Sequence, residues 1–216
     1  MGSLVSTWKE QRVVRNLMWV LSKLQLRVEK LPRWGERIAI ETWGKRIERF
    51  YALRDFVVST PDGERLASAT SAWMILDRDT YRPQRLETPM KDFPWRPDSS
   101  VVETSLRKVD EPGSDVSSCG YRVCFSDIDV NAHVTAARYL QWMLDSYPVT
   151  ALTGKELKAA EISFLAEAVL GDEVIASLES RPGHDLCRMR RAGDDQELCR
   201  ARIEWRESAR QSALEA

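Results

Sequence analysis

Three polar side chains stand two residues apart in one short stretch: Asp129, Asn131 and His133, within Ser126 to Val134 (Ser-Asp-Ile-Asp-Val-Asn-Ala-His-Val). A histidine exchanges protons near neutral pH, an asparagine amide donates to a carbonyl, and an aspartate holds either in place. In extended backbone alternate residues project to one side, so the three can line a single pocket. The stretch lies between an alternating run, Tyr121 to Phe125, and a helical pattern that begins near Val134. A helix start offers unpaired N–H groups and a positive dipole end, which suit a carbonyl oxygen that gains negative charge under attack. The same letters also spell an ordinary turn. In that reading Asp127 or Asp129 is a turn residue, Asn131 an Asx-type cap and His133 the first polar residue of a helix.

The elements around this stretch can be read from spacing. Val134, Ala137, Leu140, Leu144 and Tyr147 recur at helical intervals and predict a helix over 134–147 with that stripe buried, stopped by Pro148. Leu24, Leu26 and Val28 alternate with polar neighbours, as do Val174, Ala176 and Leu178, which suits half-buried strands. Two segments also repeat the same order of features. An extended run, a Gly-acidic turn (Gly35-Glu36 and Gly171-Asp172) and a second run lead to a polar turn and a strand ending near tryptophan (Trp73 and Trp205). Only the second copy has the preceding strand, loop and helix in full. The first is expected to lack its opening strand and most of its helix, with Trp8 to Arg15 as the remnant.

Composition narrows the classes of function. With 216 residues, 43% apolar and 30% charged, the chain has the balance of a folded protein. A net charge of −1 supplies no bulk field toward nucleic acid or an anionic membrane, so charged partners must meet local patches. Cys119, Cys124, Cys187 and Cys199 form no C-x-x-C pair and the histidines are His133 and His184, so no metal site of usual spacing and no cofactor is expected. No apolar run approaches the ~20 residues of a membrane helix, and the start resembles no signal peptide; the expected setting is cytoplasmic.

The stretch Asp127-Ile-Asp-Val-Asn-Ala-His-Val134, followed by Tyr139-Leu-Gln-Trp142, is similar to the Asp-x-Asn-x-His-Val motif of the acyl-acyl-carrier-protein thioesterases, the plant plastid enzymes and their bacterial relatives. The resemblance extends to Trp34-Gly-Glu, Ile40-Glu-Thr-Trp43, Tyr51 to Phe56 and Ala69 to Trp73, and covers roughly residues 15 to 206. It implies an α+β fold of two hotdogs in tandem, each a helix wrapped by a curved antiparallel sheet. The expected layout is an N-terminal hotdog over 1–80, incomplete at its start, a proline-containing linker over 81–118, a catalytic hotdog over 119–207 and a tail over 208–216.

By the same resemblance Asp129, Asn131, His133 and, from the strand after the helix, Glu167 are the catalytic residues, with Glu161 as the alternative for the last because strand register is open. The chain departs from its relatives in two places: Val134-Thr135-Ala136 stands where Val-Asn-Asn is usual, and Ala168 where the plant enzymes carry a cysteine. The expected reaction is hydrolysis of a long-chain acyl thioester by water. The carrier is acyl carrier protein or coenzyme A; a non-catalytic acyl-binding protein is the other reading, and a homodimer is allowed for. Because the carrier protein is acidic, Lys45, Arg46 and Arg49, and Arg188, Arg190 and Arg191, are candidates to bind it, unless they are solvated strand and turn faces. Leu17, Trp19, Leu21 and Trp73 are candidates to line the acyl tunnel, or plain core.

Overall fold

The computed structural model describes residues 16–86, 90, 93–102, 106–113 and 117–208. The chain forms two compact units, Met1–Ser105 and Leu106–Ala216. The helix remnant expected at Trp8 to Arg15 lies outside the described residues.

The first unit is an antiparallel sheet of β1 (Leu17–Val28), β2 (Ala39–Glu48), β3 (Tyr51–Ser59) and β4 (Arg65–Asp77), in the order β2-β3-β4-β1. Its described residues contain no helix. Gly63, at φ +89°, closes the polar turn between β3 and β4, a conformation a side chain would strain. The alternation expected in β1 is broken by a register shift between Leu21 and Lys23. That bulge turns Ser22 and Lys23 inward, while Leu24 and Leu26 stay half-buried.

One face of this sheet is covered by the proline-containing segment that follows β4. Leu86, Met90, Phe93 and Trp95 pack with Leu17, Trp19, Ile47, Ala52, Trp73 and Ile75. Leu17, Trp19 and Trp73, candidates for a tunnel lining, are therefore members of a packed cluster. Gly44 makes room for the covering rings, since a Cβ there would overlap Phe93 and touch Trp95. The segment is bonded along β2 as well. Arg96 N–H donates to the Gly44 carbonyl at 2.8 Å and the Trp43 indole to Ser99 at 3.1 Å.

A second register shift, between Gly44 and Arg46, displaces Lys45 from the alternation and into the interior. Its Nζ donates to the Val102 carbonyl at 2.7 Å and lies 3.8 Å from Asp55 Oδ1. Asp55 also accepts from Thr70 Oγ1 at 2.5 Å and from Val101 N–H at 3.0 Å. The expectation of Lys45 in a carrier-binding patch is thereby corrected: the ammonium is sealed in the unit and holds the covering segment.

The second unit is built from β5 (Ser117–Arg122), a 3-10 turn (Phe125–Asp127), α1 (Ala136–Asp145), α2 (Val149–Leu152), β6 (Lys155–Phe164), β7 (Glu173–Arg181), β8 (His184–Arg191) and β9 (Glu197–Glu207). The strands are antiparallel in the order β6-β9-β8-β7-β5. Val174, Ala176 and Leu178 are buried as their alternation predicts. They pack with Cys187, Met189, Leu198, Cys199, Ala201 and Ile203 against α1.

Helix α1 starts two residues later than expected, because Thr135 caps it: its Oγ1 accepts from Arg138 N–H at 3.3 Å. It ends at Asp145, and Pro148 stands before α2. The buried face of the helix is Tyr139, Trp142 and Met143; of the expected stripe, Val134 and Tyr147 at its flanks are buried, Leu140 and Leu144 are half-buried and Ala137 is exposed, so the helix is rotated from the expected face. Apolar letters surround most of this helix, and the largest rings decide which side goes inward. Each such ring removes on the order of 150–250 Å² from water, worth roughly 4–6 kcal/mol before the entropy of ordering it. Among the described residues no helix is long and apolar enough to cross a membrane.

Candidate functional site

The Ser126 to Val134 stretch is a tight turn and not the extended loop expected from its spacing. Ile128 bridges Val134, Asp129 N–H donates to the His133 carbonyl at 2.9 Å, and Ala132 N–H donates to the Asp129 carbonyl at 3.0 Å. Ala132 takes φ 64°, a left-handed conformation that reverses the chain. The Asp129 carboxylate accepts from Asn131 N–H at 2.7 Å and from Asn131 Nδ2 at 3.0 Å. Partial burial pushes the Asp129 carboxyl up, but these bonds, with those from His133, outweigh it and hold the group below its ordinary value. Asp129 and Asn131 thus form one unit at the turn tip.

His133 engages a different partner. Its Nε2 lies 3.2 Å from Glu167 Oε2, with 38% and 47% of the two side chains exposed. Glu167 stands in the turn after β6 and not within a strand. His133 and Val169 form a bridge, and Val134 N–H donates to the Ala168 carbonyl at 3.0 Å, so the two turns lie side by side. Glu161 sits within β6, opposite Arg202 of β9. Of the two glutamates, Glu167 is the one at His133.

The base of the site is held by Asp127 and Tyr139, which lie in the motif but are not among its expected catalytic residues. Asp127 is buried; its Oδ2 accepts from Cys124 N–H at 2.7 Å and its Oδ1 lies 2.8 Å from Arg138 Nε. Its carbonyl accepts from Thr135 N–H at 3.0 Å, tying the 3-10 turn to the start of α1. Tyr139 reaches from α1 to accept from Ala168 N–H at 3.0 Å. Burial raises the Tyr139 hydroxyl above its ordinary range, so it stays protonated. A tyrosine on the apolar side of a helix needs a partner for its hydroxyl, and that was the available signal.

Phe125, Val130, Leu165, Val169 and Leu170, on the 3-10 turn and the two turns, are exposed apolar side chains. The thiols offer no competing nucleophile in the core: burial pushes Cys187 up to about 12 and Cys199 well above its ordinary value. Cys119 and Cys124 are exposed. His184 opens β8, away from these turns in sequence and element.

Of the basic candidates, Lys45, Arg46, Arg188, Arg190 and Arg191 are matched to carboxylates. Arg46 pairs with Glu48 at 2.9 Å, while Arg49 is exposed in the β2–β3 turn. Arg188 pairs with Glu111 and Arg190 with Asp195. Arg191 lies 3.3 Å from Asp172 and 3.4 Å from Asp194, and donates to the Glu167 carbonyl at 3.0 Å.

With this geometry in place, the likeness to known proteins can be given. The acyl-ACP thioesterase N-terminal domain matches residues 8–92 and the acyl-ACP thioesterase C-terminal domain matches residues 111–207. The chain belongs to the acyl-ACP thioesterase family. It is 30% identical over 209 residues to the chloroplastic palmitoyl-acyl carrier protein thioesterase of Arabidopsis thaliana, covering 88% of this chain and 50% of that protein. The chloroplastic oleoyl-acyl carrier protein thioesterase 2 of the same plant is 26% identical over 232 residues, covering 90% of this chain and 62% of that one. The chain thus spans about half to three-fifths of the length of these relatives.

Among solved structures, an acyl-ACP thioesterase of Bacteroides thetaiotaomicron superposes with a TM-score of 0.77 at 24% identity, covering 94% of this chain and 80% of that one. The 12:0-ACP thioesterase of Umbellularia californica gives a TM-score of 0.77 at 22% identity, covering 96% and 82%. These likenesses establish the α+β hotdog fold. Thr135, where relatives are expected to carry asparagine, is the N-cap of α1, a role either side chain fills.

Proposed function

We propose that this chain hydrolyses long-chain acyl thioesters of acyl carrier protein to free fatty acid and carrier, by attack of water. The observation that carries the proposal is the 3.2 Å pairing of His133 with Glu167 beside the turn of Asp129 and Asn131, in a chain of this family. A half-exposed carboxylate held by an imidazole is placed to take a proton from water. The water oxygen bonds to the thioester carbon, the oxyanion forms, and the carbon–sulfur bond breaks as the leaving sulfur takes a proton. Asn131, whose amide is oriented by its bond to Asp129, is the proposed donor to the oxyanion. The exposed apolar side chains nearby suit an acyl chain. With no cysteine after Glu167, the route needs no acyl-enzyme.

Release of free thiol from acyl-carrier-protein and acyl-coenzyme A esters tests this directly. Asn131→Ala and His133→Ala should each lower the rate about 100- to 1,000-fold, as loss of one oxyanion donor or base does. Unchanged turnover in both variants sinks the assignment, and preference for the coenzyme A ester moves it to the acyl-coenzyme A class. A wild-type chain that binds acyl groups without releasing thiol would be a non-catalytic acyl-binding protein. The proposal includes a cytoplasmic location and a homodimer, checked by cell fractionation and light scattering.

A further inference from the structure

Glu167 stands in a turn held from outside. Its neighbour Ala168 donates to the Tyr139 hydroxyl at 3.0 Å, and the Ala168 carbonyl accepts from Val134 N–H at 3.0 Å. Val169 N–H donates to Asp172 Oδ2 at 3.0 Å. Glu167 itself is fixed through its carbonyl, which accepts from Arg191 Nη2 at 3.0 Å. Arg191 reaches this carbonyl from the last position of β8, with 28% of its side chain exposed. Its guanidinium is set between Asp172 at 3.3 Å and Asp194 at 3.4 Å.

Arg191 therefore donates to the Glu167 carbonyl and faces the Asp172 carboxylate, whose Oδ2 accepts from the N–H of Val169. A guanidinium can do this because its donors diverge from one rigid plane; an ammonium is a single point. The charge of Arg191 is matched by two carboxylates, which leaves little for an acidic partner.

We propose that Arg191 is a positioning residue that sets the Glu167 carboxylate against His133. It is not a carrier-docking residue, as its basic character alone suggested. The inference rests on the thioesterase reading for its kinetic part and on the His133–Glu167 geometry for its structural part. A shift of about 1 Å in a reacting group lowers rates on the order of 100-fold, so the effect belongs in kcat.

The test compares Arg191→Met and Arg191→Lys on acyl-carrier-protein and acyl-coenzyme A substrates. On both, kcat should fall about 100-fold for methionine and about tenfold for lysine, with KM changed less than about twofold. The second readout needs no turnover. His133 and His184 are the chain's histidines, so their ring NMR signals are readily told apart. In Arg191→Met the His133 signals should move toward their positions in Glu167→Gln, while those of His184 stay. If methionine prevents folding, the lysine variant carries both readouts. A KM rise confined to the carrier-protein substrate with kcat unchanged overturns the proposal in favour of docking. So do His133 signals that do not move in a folded variant. Wild-type protein that hydrolyses neither ester removes the thioesterase reading, and the NMR comparison still decides the positioning role.

Discussion

Each unit holds a carboxylate beside a basic side chain, and the two pairs are built on opposite plans. Lys45 and Asp55 are sealed, with side-chain exposures of 1% and 0%, and their bonds run to Thr70, Val101 and Val102. His133 and Glu167 are open, at 38% and 47%. Burying charge carries a large dehydration penalty, so the sealed pair must be saturated and has no capacity left for a substrate. The open pair keeps part of its hydration, and the protein fixes the peptide groups around it: Ala168 at both its N–H and its carbonyl, and Glu167 at its carbonyl. Where the fold needs attachment it buries the side chains. Where it needs reactivity it pins the backbone and leaves the side chains in reach of water.

This contrast predicts opposite phenotypes. His133→Ala should erase nearly all turnover while changing the unfolding free energy by less than about 1 kcal/mol, because an exposed pair adds little stability; a large loss of stability would abolish the distinction. Lys45→Met should do the reverse. Leaving Asp55 buried and uncompensated should destabilise by about 3–5 kcal/mol in denaturant titrations, with the folded fraction as active as wild type. Tyr139→Phe lies between them. It strands the Ala168 N–H at an expected 1–3 kcal/mol, and a fall in kcat alongside would show that backbone pins serve chemistry.

The smallest effect is one of pH. The folded-state value of Asp129 is depressed below its ordinary 3.8, so its contribution to stability is complete above that value and lost as pH falls through the lower folded value. The stability gap between wild type and Asp129→Asn should therefore be constant above 3.8 and close below it. A gap that persists in acid would mean the carboxylate's charge is not what holds the turn.

Much of this was legible from residue order. Asp129, Asn131 and His133 named the turn, the Gly171-Asp172 corner was visible, and Val174, Ala176 and Leu178 announced a strand by alternation. Their arrangement was not legible: spacing of two suggests one extended face, whereas Ala132 in a left-handed conformation reverses the chain, and the His133 side chain pairs with Glu167. The burial of Lys45 is hidden for a similar reason, since one extra residue in a strand transfers a side chain between faces and leaves no mark in composition. Helix rotation was hidden because small and large apolar residues count alike in a periodicity while rings dominate burial. Arg191 read as free charge because its partners, Asp172 and Asp194, are brought to it by the sheet.

The sealed lysine also orders events during synthesis. Its 2.7 Å acceptor is the Val102 carbonyl, more than fifty residues further along the chain. While the chain is growing, β2, β3 and β4 can be complete on the ribosome with that ammonium still in water. The first sheet then gains these bonds only when the proline-containing segment has emerged and lain down along β2. A nascent chain halted before Val102 would display an unfinished sheet edge, and the interval between the two residues measures how long that edge must be kept from other chains.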